Sequence, residues 1–308
     1  MYPLYCHVAV FLYFDSTNDK MFILKLKTMH FSRRNFLKLS GTGLMATQAS
    51  SLLASHSSGP VSGPEVPFKL GIASYTFRQF SLEDAIAMTA QLNIPKLCLK
   101  SMHMPLDSSA DEIKARAAKV NKAGIDLYGG GVIYMKTVED VNNAFAYATL
   151  AGMDLIVGVP EHELLELCNQ KVKETGIKLA IHNHGPGDKN YPTPESAYRL
   201  IKDMDSGMGL CVDIGHTLRI GEDPTEDTRL YMDRVHDIHI KDVDKADPSG
   251  KPLEIGHGLI DIPGFLKMLL EENYSKVVSF EYEKDGKDPM AGLAESVGYV
   301  RGVLSVIS

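Results

Sequence analysis

Residues 151–182 read AGMDLIVGVPEHELLELCNQKVKETGIKLAIH, and this stretch contains the repeating unit that decides the fold. A short apolar run at 154–159 leads into an amphipathic stretch at 161–175, and Gly176 separates that stretch from a second apolar run at 178–182. Apolar residues at helical spacing predict a helix over 161–175, and Gly176 can adopt the left-handed conformation that ends a helix. The stretch therefore predicts a strand, a helix and a second strand, in that order.

The same unit recurs along the rest of the chain. Eight apolar runs are each followed by a plausible helix, and most runs start about 24–30 residues after the previous one, the size of one βα unit. The runs are continuously apolar, as expected when helices cover a parallel sheet. The predicted strands are residues 68–75, 96–100, 125–130, 154–159, 178–182, 208–213, 235–240 and 277–282. The predicted helices are residues 81–92, 108–122, 137–151, 161–175, 193–202, 225–233, 262–272 and 289–304.

Eight such units predict an α/β fold with a single domain, a (β/α)8 TIM barrel over residues 68–308. A doubly wound open sheet is the alternative. It is less favoured because no glycine-rich phosphate loop opens the first helix, and Gly129-Gly130-Gly131 lacks the spacing of a nucleotide-binding fingerprint.

The first 54 residues differ in charge from the rest of the 308-residue chain. They contain six Lys and Arg against two Asp, a formal charge of +4, so the other 254 residues carry −11 of the total of −7. Arg33 and Arg34 lie in the run SRRNFLK, which a mildly apolar stretch follows, and this pattern resembles a twin-arginine export signal. We expect residues 1–54 to be a removed leader, residues 55–67 to be a linker, and the protein to be periplasmic.

Two questions about the leader stay open. Residues 1–28 precede the usual start of such a signal, so translation could instead begin at Met21 or Met29. An amphipathic helix of a cytoplasmic protein is the alternative to an export signal. The apolar stretch is too short and too rich in Gly, Ser and Thr for a stable membrane span. The charge of −11 on the remaining residues also argues against nucleic acid as a partner, because a duplex-binding protein needs a basic face.

Polar side chains collect where the predicted strands end, and in a barrel the carboxyl ends of the strands form the active site. Residues 180–185 read AIHNHG, residues 211–216 read CVDIGH, and residues 236–242 read HDIHIKD. Because side chains alternate along a strand, His182 and His184 share one face, as do His239 and Lys241. The strand-end residues that we select as candidates for chemistry are His103, Glu161, His182, His184, Asp213, His216, His239, Lys241 and Glu281.

Asp213 and Glu281 each lie inside an apolar run, and a buried ionised carboxylate needs a cation or several hydrogen-bond donors. One divalent metal ion bound by His182, Asp213, His239 and Glu281 would meet that need. Two imidazoles and two carboxylates suit Mn, Zn, Co or Fe better than Mg or Ca, which prefer oxygen ligands alone. Lys241 could instead pair with Asp213 or Asp242 as structural support.

These strand-end motifs resemble the xylose isomerase-like barrel superfamily, in the branch of sugar phosphate isomerases/epimerases, ketose 3-epimerases and inosose dehydratases. The resemblance covers residues 68–306 and implies a metal site of Glu, Asp, His and Glu from strands 5 to 8. The matching positions are His182, Asp213, His239 and Glu281. His182 is a departure, because the 3-epimerases have a carboxylate there and use two metal-bound Glu residues on opposite faces of the substrate.

The resemblance implies chemistry on a small keto sugar or glycoside through an enediolate. Glu281 would remove a proton alpha to the carbonyl, with the metal as Lewis acid and His184, His103, Glu161 or Lys241 as the acid. The expected activity is that of a metal-dependent isomerase or epimerase. The alternative is a carbon–oxygen lyase that carries out dehydration or glycoside elimination. An endonuclease-IV-like phosphodiesterase and a noncatalytic sugar-binding protein are less favoured, and a homo-oligomer is an open alternative because such barrels often associate.

Five further residues follow the strands and are candidates for substrate binding. Aromatic rings pack on the C–H faces of sugars, and hydroxyl groups and cations bind sugar oxygens. We expect this role for Tyr75 and Phe77 after strand 1, Tyr134 after strand 3, and His216 and Arg219 after strand 6.

Overall fold

Eight parallel strands close into a barrel, so the predicted (β/α)8 TIM barrel is confirmed. The computed structural model of the protein describes residues 66–308, and the predicted leader, its twin-arginine motif and most of the predicted linker lie outside these residues. Each strand pairs with the next along the chain, and the last strand pairs with the first. The strands are β1 (Lys69–Ala73), β2 (Lys96–Leu99), β3 (Asp126–Met135), β4 (Leu155–Pro160), β5 (Lys178–His182), β6 (Met208–Asp213), β7 (Val235–Ile240) and β8 (Val277–Phe280).

Helices connect the strands, and several begin and end with the predicted residues. Ser81 Oγ accepts a hydrogen bond from the backbone N–H of Asp84, and the Ser81 backbone N–H donates to the Asp84 carboxylate. These two bonds form a capping box at the start of the first helix. Gly152 and Gly176 both end helices in the left-handed conformation. The helices are α1 (Leu82–Gln91), α2 (Ala110–Lys122), α3 (Val138–Ala151), α4 (Leu165–Thr175), α5 (Pro194–Ile201), α6 (Ile214–Arg219), α7 (Pro224–Leu230), α8 (Ile262–Glu271) and α9 (Met290–Ile307).

Three elements were not predicted from the sequence. A 3-10 turn (Ser74–Phe77) follows β1, where the strand was expected to extend to residue 75. Helix α6 begins directly after β6, where only the end of a strand was expected. A two-stranded antiparallel hairpin, Asp242–Val243 with Pro252–Leu253, fills part of the long connection between β7 and β8. The Asp242 carboxylate accepts backbone N–H groups from both Gly256 and Gly258, so it anchors this connection beside the barrel mouth.

The core lies between the barrel wall and the surrounding helices. Ile72, Leu97, Ile156 and Leu179 on the strands are fully buried, which supplies the main driving force for folding. Helix α9 is long and apolar enough to cross a membrane by length and composition, with 33% of it buried. Its buried residues, including Leu293, Val297 and Val300, pack on the rest of the barrel, as expected for the last helix of this fold.

Candidate metal centre and cavity

The four residues predicted to bind metal come together at the carboxyl ends of neighbouring strands. His182 ends β5, Asp213 ends β6, His239 is the fifth residue of β7, and Glu281 directly follows β8. The pairing register sets Asp213 beside His239 and His239 beside Ser279, two residues before Glu281. One potential ligand atom from each of the four lies within 4.8 Å of the others, and each residue is at most 5% exposed.

The spacing of the facing atoms fits a small divalent ion. His182 Nε2 lies 3.1 Å from His239 Nδ1 and 3.5 Å from Asp213 Oδ2, while His239 Nδ1 lies 3.3 Å from Glu281 Oε2. Tetrahedral bonds of about 2.1 Å place ligand atoms about 3.4 Å apart. Among residues 66–308, Asp213 Oδ2, His182 Nδ1 and His239 Nε2 are buried without an aligned hydrogen-bond partner. Of these atoms, Asp213 Oδ2 faces the other potential ligands, whereas the two nitrogens are on the far sides of their rings. The donor set and the unsatisfied Asp213 Oδ2 therefore fit a divalent metal.

Lys241 supplies a positive charge to the same carboxylates. Its ammonium Nζ donates a hydrogen bond to Glu281 Oε2 at 2.7 Å and lies 2.8 Å from Asp213 Oδ2, as an ion pair without hydrogen-bond alignment. Glu283 Oε2 is 3.5 Å away. Lys241 is 4% exposed, so these contacts are made in a region of low dielectric constant where they are strong. Lys241 was expected to pair with Asp213 or Asp242 as an alternative to a metal site. The structure shows the pair with Asp213, whereas the Asp242 carboxylate accepts hydrogen bonds from backbone N–H groups.

The protonation states follow from this arrangement. Burial lowers the pKa of His182 to about 3, so its imidazole is neutral and able to bind a metal. Burial alone would raise the pKa of Asp213, but His216 and Lys241 outweigh it and hold the pKa below its usual range. Burial likewise opposes ionisation of Glu281, yet Lys241 and His239 lower its pKa well below the usual value. Both carboxylates are therefore ionised, as metal ligands must be.

The backbone around Asp213 explains why this residue is held so firmly. Asp213 Oδ1 accepts a 2.8 Å hydrogen bond from the backbone N–H of His216, so the carboxylate also caps helix α6. The backbone N–H of Asp213 donates to Asn183 Oδ1 at 2.9 Å, and Asn183 in turn donates to Thr217 Oγ1 at 3.1 Å. The sequence Asp-Ile-Gly-His thus ends a strand, starts a helix and leaves Oδ2 directed at the other three residues.

A cavity of about 310 Å³ opens above the quartet. This volume is at the lower end of the range for small-molecule sites and suits one sugar-sized ring. Four of the residues predicted for substrate binding or catalysis line it, namely Tyr75, Tyr134, His184 and His216, together with His182 and Glu281 from the quartet. Lys100, Val132 and Glu283 complete the lining.

His184 is oriented by two neighbours. Its Nδ1 lies 3.2 Å from Asp188 Oδ2, and its Nε2 lies 3.1 Å from the hydroxyl of Tyr134, whose ring stacks on the imidazole. The hydrogen bond to His184 lowers the pKa of Asp188 to about 2, so an ionised carboxylate faces Nδ1 of the imidazole. This arrangement suits a residue that donates a proton to a molecule in the cavity.

Apart from Lys241 and the residues of the quartet, four predicted site residues do not line the cavity. His103 is buried, with Nδ1 2.9 Å from Ser74 Oγ and Nε2 3.2 Å from the Phe77 carbonyl oxygen, so its ring joins two segments of the barrel wall. Phe77 is fully buried because the 3-10 turn after β1 directs it into the core. Glu161 accepts a hydrogen bond from Asn190, and Arg219 donates to the Pro248 carbonyl oxygen at 3.0 Å. These residues support loops around the site.

Three residues of this region were not selected from the sequence. Glu283 lies two residues after Glu281, on the same alternating face, and burial raises the pKa of its carboxyl group. Lys100 follows β2, and its Nζ lies 5.6 Å and 5.9 Å from the centres of the Tyr75 and Tyr134 rings. Asp188 lies in an irregular loop, four residues after His184. Strand alternation gave a signal for Glu283, whereas the other two depend on tertiary structure.

Comparison with known proteins agrees with this architecture. Residues 161–303 match the family described as Xylose isomerase-like TIM barrel. The inosose dehydratase of Clostridium botulinum is 28% identical over 138 residues, which are 39% of this chain and 45% of that protein. The chain spans about half the length of the curated relatives it matches.

Solved structures cover more of the barrel. A putative uncharacterized protein from Parabacteroides distasonis is 25% identical, with a TM-score of 0.61 over 77% of this chain and 99% of its own. A D-tagatose 3-epimerase-like protein is 19% identical and shares the fold, with a TM-score of 0.64 over 78% of this chain and 98% of its own. The matched segment is thus similar to the xylose isomerase-like TIM barrel family, and the solved structures share the closed barrel.

Proposed function

We propose that the protein is a divalent-metal-dependent carbon–oxygen lyase that acts on a keto sugar or a related keto polyol. The observation that carries the proposal is the quartet of His182, Asp213, His239 and Glu281, of which His182 and Glu281 line a sugar-sized cavity. Similarity to inosose dehydratases over about half of their length supports the same class of reaction.

The quartet would hold the metal, and a metal bound there would polarise the carbonyl group of the substrate as a Lewis acid. The Glu281 carboxylate takes the proton from the carbon alpha to the carbonyl, and the electrons of that C–H bond form a carbon–carbon double bond. The C–O bond at the beta carbon breaks. His184 gives a proton to the departing oxygen, which leaves as water or as an alcohol.

His182 favours elimination over epimerisation. Two-base epimerisation needs a proton acceptor and a proton donor on opposite faces of the substrate, a role that paired carboxylates fill in the 3-epimerases. Here one of the two positions holds a buried imidazole with a pKa near 3, which is neutral and able to bind a metal but a poor proton donor. Elimination needs only Glu281 and an acid near the leaving group.

An isomerase or epimerase is the second candidate function. It shares the first step, and it differs in that a proton returns to a carbon of the substrate and no oxygen leaves. The cavity imidazole of His184 favours it, because it could supply that proton.

The experiment is a screen of metal-loaded protein against hexoses, 3-keto-glycosides and inososes in D₂O, followed by NMR. We expect a dehydrated or cleaved product, and we expect Glu281→Gln to abolish both this product and deuterium exchange at the alpha carbon. Deuterium exchange with an isomeric product would establish the second candidate. Absence of exchange into every keto sugar tested would contradict enzymatic enolisation altogether. Glu283→Gln, tested alongside, shows whether the neighbouring carboxylate is the base.

We also propose that the twin-arginine motif exports the protein to the periplasm, which would supply neutral sugars or glycosides as substrates. Replacement of Arg33 and Arg34 by Lys preserves the charge and removes the motif. Cell fractionation should then show the protein moving from the periplasm to the cytoplasm. An unchanged cytoplasmic location in both forms would contradict export.

A further inference from the structure

Lys241 contacts both carboxylates of the candidate metal centre. Lys241 Nζ contacts Asp213 Oδ2 and Glu281 Oε2, at 2.8 Å and 2.7 Å. These are the same two oxygens that face the imidazole nitrogens of His182 and His239. The Lys241 ammonium group and a metal ion at the quartet would therefore contact the same two oxygen atoms.

We propose that Lys241 is a built-in counter-cation that competes with the metal for the carboxylate oxygens of Asp213 and Glu281. The inference rests on the proposed metal site and adds a property of it. Without metal, the ammonium keeps the two carboxylates ionised and in place. Binding of the metal must displace the ammonium from at least one of the oxygens, so Lys241 lowers the affinity that the four ligands would otherwise have.

The physical basis is the cost of uncompensated charge inside a protein. Two buried carboxylates without a cation would repel each other, and each would lose its hydration. Lys241 removes this cost, so the barrel can fold before metal arrives, unlike small domains whose folding depends on the metal. The same positive charge, at hydrogen-bond distance from the ligand oxygens, repels an incoming divalent ion.

The residues around Lys241 leave room for its side chain and hold its ammonium group. Gly215 packs against the lysine stem, and a Cβ at this glycine would lie 2.5 Å from Lys241 Cγ and 2.7 Å from its Cδ. Glu283 lies 3.5 Å from Nζ and lines the cavity. It provides a third carboxylate that can retain the ammonium when the metal holds the other two.

The test compares zinc binding by wild-type protein and Lys241→Met, prepared metal-free, by isothermal titration calorimetry and by thermal unfolding with and without zinc. We expect the variant to bind one zinc ion at least tenfold more tightly than wild type. We also expect metal-free Lys241→Met to melt at a lower temperature than metal-free wild type, and zinc to raise its melting temperature by more. Lys241→Gln, which keeps a neutral hydrogen-bond donor beside the carboxylates, gives a second variant in case Lys241→Met does not fold without metal.

Lys276→Met is the matched control. Lys276 is a partly buried lysine that contacts the Val235 carbonyl oxygen and lies 3.0 Å from His236 Nδ1, so its removal leaves the quartet untouched. Its zinc affinity should equal that of wild type. If both Lys241 variants bind zinc with unchanged or weaker affinity, the competition is refuted while the metal site stands. If neither wild type nor the Lys241 variants bind zinc, manganese, cobalt or iron, the proposed metal function fails together with this inference.

Discussion

Asp213→Asn is the substitution that most sharply separates the buried ion pair from the other roles of this side chain. Asparagine has nearly the same shape, and as an N-cap it is about as effective as aspartate. Oδ1 can thus still accept the N–H of His216 and cap helix α6. The change removes the negative charge next to Lys241 and converts the unsatisfied Oδ2 into part of a neutral amide.

The magnitude follows from the burial of both partners. Asp213 is fully buried and Lys241 is 4% exposed, and breaking such a pair by removing one partner costs about 3–5 kcal/mol. Lys241 keeps its contact with Glu281, so we expect a loss near the lower limit, about 3 kcal/mol in the metal-free protein. For a barrel of this size that corresponds to roughly 6–12 °C in melting temperature.

The assay is urea unfolding of metal-free protein, with Asp223→Asn as the control. Asp223 caps helix α7 through hydrogen bonds from the backbone of Thr225 and Glu226, but it is exposed and has no buried cation beside it. The control should lose less than about 0.5 kcal/mol. If Asp213→Asn loses no more than Asp223→Asn, the electrostatic description of the centre is wrong.

Three other substitutions test separate parts of the structure. Burial, with a contribution from nearby Lys276, lowers the pKa of His236 to about 3, so the native state cannot take up the proton that the unfolded chain binds below pH 6.5. The neutral imidazole therefore contributes its full stability above pH 6.5, and this contribution is lost as the pH falls toward 3. In urea unfolding, wild type should lose about 2 kcal/mol more than His236→Gln between pH 7 and pH 5. Asp188→Asn should lower kcat about tenfold or more on whichever keto sugar is turned over, with little change in melting temperature, because it orients His184; an unchanged kcat contradicts the acid role. Gly209→Ala should destabilise the barrel by about 1–3 kcal/mol in thermal unfolding, because its Cβ would lie 2.4 Å from the Arg234 carbonyl oxygen, whereas no loss would show that this part of the wall can relax.

The fold could be predicted because the apolar runs and amphipathic stretches repeat at the period of a βα unit. The exceptions are short elements. Helix α6 has six residues and starts at the residue after the end of β6, so periodicity alone does not separate it from the strand. The hairpin at Asp242–Val243 depends on the Asp242 carboxylate, which accepts hydrogen bonds from backbone N–H groups 14 and 16 residues later in the chain. No local sequence pattern indicates these hydrogen bonds.

The candidate site was predictable to the extent that it depends on strand alternation and strand ends. Alternation brings His182, Asp213, His239 and Glu281 to one end of the barrel, and the structure places them within ligand distance of one another. The turn after β1 is different: it directs Tyr75 to the cavity and Phe77 to the core, and only the turn geometry decides which.

Loops and long side chains were the least predictable parts. His103 could be placed near the barrel mouth from its position after β2, but its hydrogen bonds to Ser74 and the Phe77 carbonyl oxygen depend on how two loops pack. Asp188 approaches His184 through an irregular loop without periodicity. Lys241 could reach several carboxylates, and its choice of Asp213 and Glu281 is a result of tertiary packing.

The central claim is that four strand-end side chains form one metal site, and the most direct measurement is metal stoichiometry and affinity. Wild-type protein, stripped of metal and titrated with zinc or manganese, should bind one ion per chain at the quartet. His239→Ala combined with Glu281→Ala should lose that binding, while the control Asp223→Asn keeps it. Full affinity in the double variant would contradict the account, because the ion would then be held elsewhere.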